Sequence, residues 1–309
     1  MKVLVTGVNG QLGNDVMLEL KKRNIEAIGC DITKKYSGIN ASSPVASMPY
    51  FRLDITDMDK VFDRLKMLRP DAVIHCAAYT AVDNAQEEEN YDTVMQVNYE
   101  GTRFLASACK DIDAKLLYLS TDYVFDGSGE SPHSPDDTNF SPLNVYGLSK
   151  LKGEEAIRNL CTKYFIVRIS WVFGLYGSNF IKTMLNVAKT HDTVRVVNDQ
   201  IGMITGTYDL SSLLVDMILS DKYGIYHATN SGDFISWYDL TCKIYEYAAL
   251  DTKIIPVSTE EYGLSKAKRP YNSRLDISKL EKSGFKPLPN WQDSLKSFID
   301  QLTSLDLKN

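Results

Sequence analysis

Short apolar runs alternate with stretches of helical spacing through the first half of the chain. KVLVTG (2–7) ends in a glycine turn and predicts a first buried strand. GQLGNDVMLELKKRN follows with Leu12, Val16 and Leu20 on one helical face. IEAIGCD (25–31) predicts a second strand and YFRLDIT (50–56) a third. Asp57 stands where it can cap the helix MDKVFDRLKML, which Arg69-Pro70 stops. DAVIHCAA (71–78) predicts a fourth strand, residues 84–110 a long helical stretch, and KLLYLST (115–121) a fifth strand. NVYGLSKLKGEEAIRNL then reads as helix and YFIVRISWV (164–172) as a sixth strand.

This alternation predicts an α/β fold, a doubly wound parallel sheet of the Rossmann type. Beyond residue 173 the rhythm loosens. SNFIKTMLNVAK, TYDLSSLLVDMIL and WYDLTCKIYEYAAL read as helices, with short strands such as TVRVV and GIYHAT between them. The expected organisation is a cofactor-binding domain over residues 1–170 and a smaller, mainly substrate-binding C-terminal part over 171–309. Some of the later segments are free to rejoin the main sheet.

Composition narrows the function. With 309 residues, 44% hydrophobic and 24% charged, the chain can bury a sizeable core without staples. A net charge of −6 argues against a nucleic-acid surface, which needs clustered Lys and Arg. The five cysteines (30, 76, 109, 161, 242) are odd in number and scattered, and the four histidines show no zinc spacing. No apolar run is long enough for a membrane span, and MKVLVTG reads directly as a strand rather than as a signal peptide. These features predict a reduced, cytoplasmic protein without membrane or nucleic-acid partners.

TGVNGQLG places Gly7, Gly10 and Gly13 between the first strand and the first helix, with Gln11 and Leu12 in the turn. Small residues let the backbone approach a pyrophosphate, and a helix N-terminus favours negative charge, so this turn points to a dinucleotide. Asp31 ends the second strand, where a carboxylate can accept hydrogen bonds from an adenosine ribose. Lys34 and Lys35 lie near enough to hold a 2′-phosphate instead, so NADPH and NADH both remain open. Asp54 and Ile55, ending the third strand, can flank the adenine. Ala77, Ala78 and Tyr79, ending the fourth, leave room for a cofactor across the strand tips. YGLSK sets Tyr146 and Lys150 four residues apart, on one face of a helix. A lysine ammonium about 4 Å from the phenol, at a dielectric near 20, is worth about 4 kcal/mol, enough to lower its pKa by roughly three units.

Taken together, TGVNGQLG, STDYVFDG (120–127) and YGLSK resemble the extended short-chain dehydrogenase/reductase superfamily. HCAAYTAVDNAQ (75–86), VNYEGT (97–102), ISWVFG (169–174), GSNFIKTML (177–185) and RPYNSRLD (269–276) resemble one branch, the dTDP-4-dehydrorhamnose reductase family. The resemblance implies NAD(P)H-dependent reduction of a nucleotide-sugar ketone, with Thr121, Tyr146 and Lys150 as the catalytic set. It places Asp122 and Trp171 on the sugar and Asn179 and Phe180 on the nucleotide side, with the Arg269–Ser273 segment a weaker candidate for phosphate contact. A homodimer and a bound Mg²⁺ are options that it leaves open; Asp15 is the candidate ligand. In related sugar-nucleotide dehydratases a glutamate follows the Thr-Asp pair, and here Tyr123 stands in its place. The branch usually has proline where this chain has Ile204. Other classes left open are an epimerase or dehydratase of the superfamily, and an NADP-binding regulatory subunit resembling that of methionine adenosyltransferase.

Overall fold

A computed structural model describes residues 1–36 and 43–306. Its strands in chain order are β1 (Lys2–Thr6), β2 (Glu26–Asp31), β3 (Tyr50–Arg52), β4 (Ala72–His75), β5 (Lys115–Thr121), β6 (Tyr164–Ile169), β7 (Val172–Phe173), β8 (Thr193–Val197), β9 (Ile201–Gly202), β10 (Thr205–Gly206), β11 (Gly224–His227), β12 (Ile235–Ser236) and β13 (Lys253–Val257). The α-helices are α1 (Gln11–Lys22), α2 (Met58–Leu68), α3 (Tyr91–Met95), α4 (Gly101–Asp111), α5 (Val145–Leu160), α6 (Phe180–Ala188), α7 (Thr207–Ile218), α8 (Trp237–Tyr247), α9 (Thr259–Tyr262), α10 (Ser278–Lys282) and α11 (Trp291–Asp306).

Seven strands form a parallel sheet in the order β11-β6-β5-β4-β1-β2-β3. The order reverses between β1 and β4, which opens a crevice at their C-terminal ends. The apolar runs of β1, β4, β5 and β6 are buried on both faces, as a sheet covered by helices requires. One face packs against α1 and α7 through Leu20, Met17, Leu210 and Leu214. The other packs against α2, α4 and α5 through Val61, Leu65, Leu105 and Ile157. A separate core joins α6, α8 and α11 through Ile181, Ile244 and Phe298. The chain beyond residue 171 thus returns twice to the main sheet, with β11 pairing on β6 and α7 packing beside α1. Arg23 ties those helices, donating to Asp216 at 2.5 Å and to the Ser212 hydroxyl at 2.7 Å.

Four predicted elements are cut short, among them the fourth strand, which ends at His75 and leaves Ala77, Ala78 and Tyr79 beyond it. The third strand ends at Arg52 because Asp54 turns the chain, its Oδ1 accepting from the Thr56 N–H at 3.0 Å. Asp54 and Ile55 therefore lie beyond the strand. The long helix predicted over 84–110 breaks into 3₁₀ turns, α3, a π-helical turn at Gln96–Glu100 and α4. The sixth strand ends at Ile169, since Trp171 adopts a left-handed backbone with φ 47°. Val172–Phe173 then pairs with β10 in a sheet of its own. The expected cap is present, with Asp57 accepting from the Lys60 N–H at 3.1 Å, and Arg69 closes α2 with φ 44°. Among the described residues, no helix is long and apolar enough to cross a membrane.

Candidate active site

A cleft of about 680 Å³ opens at the C-terminal ends of the parallel strands. Its cofactor side begins at the glycine turn. Gly7 has φ +71°, and a Cβ there would come 2.5 Å from the Ala77 nitrogen. A Cβ on Gly13 would lie 2.2 Å from the Gly7 carbonyl oxygen. Only glycine lets β1, the turn and β4 approach so closely. Gly10 caps α1 without a side-chain acceptor, so no side chain occupies the helix's first N–H groups, and residues 10–13 line the cleft. This cradle fits a dinucleotide pyrophosphate. Gln11, Leu12, Asp31, Asp54, Ile55, Ala77, Ala78 and Tyr79 line the same cleft. The Asp31 carboxylate accepts from the Asn9 N–H at 3.0 Å and the Ile32 N–H at 2.7 Å. Lys34 and Lys35 are exposed beyond it.

The strand–helix pair β5 and α5 carries the reacting groups. Thr121 ends β5, and its hydroxyl donates to Asp122 Oδ1 at 2.9 Å. Asn144 caps α5 by accepting from the Gly147 N–H at 2.8 Å, which sets the start of the helix bearing Tyr146 and Lys150. Thr121, Asp122, Tyr146 and Lys150 all face the cleft. Asp122 is 2% exposed, and its Oδ2 has no hydrogen-bond partner. Burial pushes its carboxyl up to about 6, with the Ser273 and Thr121 hydroxyls pulling it back part of the way.

The phenol does not behave as expected from its spacing to Lys150. Removal from water raises the Tyr146 pKa, Asp122 raises it further, and a hydrogen bond with Thr121 offsets part of the rise. Desolvation therefore outweighs the expected lowering by the ammonium. Burial brings Lys150 itself down to about 7, against the pull of Glu154. Its Nζ sits over the Tyr118 ring, 4.1 Å from the centroid. A phenol held protonated is a donor, which suits a reduction better than a proton abstraction.

On the far side, Trp171 and Phe180 line the cleft together with Trp237, Ile204 and Leu240. Trp171 stacks on Trp237, and Phe180 packs against the same indole at 4.5 Å between centroids. Asn179 is placed differently. It caps α6, accepting from the Lys182 N–H at 3.1 Å, and donates to Gln11 Oε1 at 3.0 Å and the Gly174 carbonyl at 2.9 Å. Those bonds occupy its amide, and it does not line the cleft. Arg269 is also engaged elsewhere, in a two-pronged pair with Asp83 at 3.1 and 2.6 Å. Ile204 is 1% exposed, and its carbonyl accepts from the Asn230 N–H at 3.1 Å.

Tyr123 lines the cleft too, and Trp237 and Asn98 join the site without having been singled out from the sequence. Asn98 sits in the π-helical turn, donating to the Tyr79 carbonyl at 3.0 Å and the Ser149 hydroxyl at 2.9 Å. It thereby links the end of β4 to the helix carrying Lys150, a role for which VNYEGT was the available signal. Asp15 does not fit a metal. It is 5% exposed, and its Oδ2 accepts from the Thr207 hydroxyl at 2.5 Å. Among the described residues, no group of three or more His, Cys, Asp or Glu side chains is gathered to hold an ion.

The family model for the RmlD substrate binding domain matches residues 1–304. The spore coat polysaccharide biosynthesis protein SpsK of Bacillus subtilis is 38% identical over 303 residues, 98% of each chain. A crystal structure of a dTDP-4-dehydrorhamnose reductase from Clostridium acetobutylicum superposes with a TM-score of 0.88 at 39% identity, covering 98% of this chain and 100% of the other. The dTDP-4-dehydrorhamnose reductase of Bacillus anthracis, solved in complex with NADP, superposes with a TM-score of 0.87 at 37% identity, covering 97% and 99%. Matched along nearly its whole length and by relatives more than a third identical, the chain belongs to the dTDP-4-dehydrorhamnose reductase family.

Proposed function

We propose that this protein reduces the C4 ketone of dTDP-4-dehydro-L-rhamnose to the alcohol of dTDP-L-rhamnose, using NADPH or NADH. The observation that carries the reading is the convergence of Thr121, Tyr146 and Lys150 on the cleft that begins at the glycine cradle. The NADP bound to the Bacillus anthracis relative supports the same cofactor here. When bound, the reduced nicotinamide supplies the hydride. Tyr146 gives its phenolic proton to the oxygen that becomes the alcohol. Thr121 steadies that oxygen by a hydrogen bond, and Lys150 holds the ribose of the cofactor. Asp122 and Trp171 orient the sugar.

Tyr123 separates this chemistry from water loss. The dehydratase relatives' glutamate position is held here by a phenol, edge-on to Tyr146 with ring centroids 6.0 Å apart. Desolvation and the neighbouring Asp122 both raise its pKa, so it stays protonated and is no base for a proton beside the ketone. Residues up to about 170 supply the cofactor cradle in this reading, and those beyond it mainly the sugar-nucleotide wall. Such a reaction on a free nucleotide sugar suits the cytoplasm. Incubation with dTDP-4-dehydro-L-rhamnose while following NAD(P)H absorbance tests the proposal. Stoichiometric loss of absorbance supports it, and no turnover with either cofactor refutes it.

A further inference from the structure

Glu154 lies one helical turn beyond Lys150 on α5 and is fully buried. Its carboxylate joins three elements. Oε1 accepts from the Ser120 hydroxyl at 2.5 Å and from Arg168 Nε at 2.9 Å, and Oε2 accepts from Arg168 Nη2 at 2.8 Å. Ser120 precedes Thr121 on β5, and Arg168 lies opposite Ser120 in the β5–β6 register. Both members of the ion pair are 0% exposed. A buried ion pair adds little net stability over an apolar pair of the same volume, so stability alone does not account for charges here.

The surroundings of Lys150 supply a reason. Its neighbours are His75 and Cys76 at the end of β4, Tyr118 on β5, and Tyr146 and Glu154 on its own helix. Burial holds His75 neutral, down to about 3, and pushes the Cys76 thiol up to about 12. The Tyr118 and Tyr146 phenols are held protonated as well. Among the described residues, the carboxylate that favours the ammonium is Glu154.

We propose that Glu154 is a positioning residue for the reaction: through Ser120 and Arg168 it fixes the end of β5 against α5, and its negative charge, one helical turn away, favours the ammonium form of Lys150. Thr121 and Lys150 are thereby held in one frame by a group that itself stays out of the cleft. The inference rests on the reading of Lys150 as a cofactor-holding group, but its test needs no sugar.

NADPH affinity is measured by fluorescence from about pH 5 to about pH 9 for the parent, Glu154→Gln, Glu154→Asp and the double variant Glu154→Leu/Arg168→Leu. Removing the carboxylate lowers the Lys150 pKa, so affinity should fail at lower pH as pH rises, the alkaline limb moving down by about one unit. Glu154→Asp should keep the parent's limb. The double variant leaves no unmatched buried charge, so it answers the question where Glu154→Gln does not fold. A uniform loss of affinity with the limb at the parent's position, or no limb in either protein, overturns the proposal. Because binding is read directly, failure of the sugar reaction leaves this result standing.

Discussion

Trp171 and Trp237 stack face to face, with ring centroids 3.7 Å apart and planes 15° from parallel. Trp171 reaches this position through a left-handed backbone, φ 47°, that a bulky residue rarely adopts. Gly202 lies close beside its ring. A Cβ on Gly202 would lie 2.9 Å from both the indole and the Ser273 Cβ. Gly202→Ala should therefore displace the indole, cost about 1–3 kcal/mol of stability and raise KM for the nucleotide sugar more than it lowers kcat. Denaturant titration and steady-state kinetics check this. Parent-like stability and KM would show that the indole is not held by this contact.

Cofactor choice should follow from Asp31. Its carboxylate is fixed by the Asn9 and Ile32 N–H groups, next to where a ribose edge would lie. A carboxylate there repels a 2′-phosphate, while Lys34 and Lys35 attract one. The two cofactors should be used with kcat/KM values within about a hundredfold, ~2.7 kcal/mol. Asp31→Ala should move the ratio toward NADPH. A parent preference for NADPH beyond that range would reject this reading of Asp31.

Burial sets a pH signature at the α1–α7 interface. Asp15, hydrogen-bonded to Thr207, has its carboxyl pushed up by burial from 3.8 to about 6. Its folded pKa thus exceeds its unfolded one, so the favourable contribution is full below about pH 4 and is lost as pH rises through about 6. Asp15→Asn removes this dependence. Relative to the variant, the parent should lose up to about 3 kcal/mol of stability between those pH values. Urea unfolding of both proteins across this range measures it, and parallel pH profiles would contradict it.

Much of this site was legible in local sequence because local sequence builds it. The glycine turn, the Thr121-Asp122 strand end and the Tyr146–Lys150 spacing each lie on a single element, and all of these face one cleft. Groups assembled from distant segments were not legible. Trp237 meets Trp171 across sixty-odd residues, and Ser273 approaches Asp122 from near the C-terminus. Asn179 shows the opposite error. A polar residue before an apolar helix is first of all an N-cap, and its amide is spent on that and on Gln11. The tyrosine electrostatics were misjudged because spacing reveals a neighbouring charge but not the loss of water around both groups.

Tyr146→Phe tests the central claim most directly. With dTDP-4-dehydro-L-rhamnose and NADPH, the variant should keep the parent's cofactor affinity. Its kcat should fall at least about a hundredfold, since a positioned proton donor contributes roughly 10²–10⁴. Turnover near that of the parent would remove Tyr146 from the mechanism, and a dehydrated sugar formed by the parent without net NADPH consumption would contradict the reduction itself.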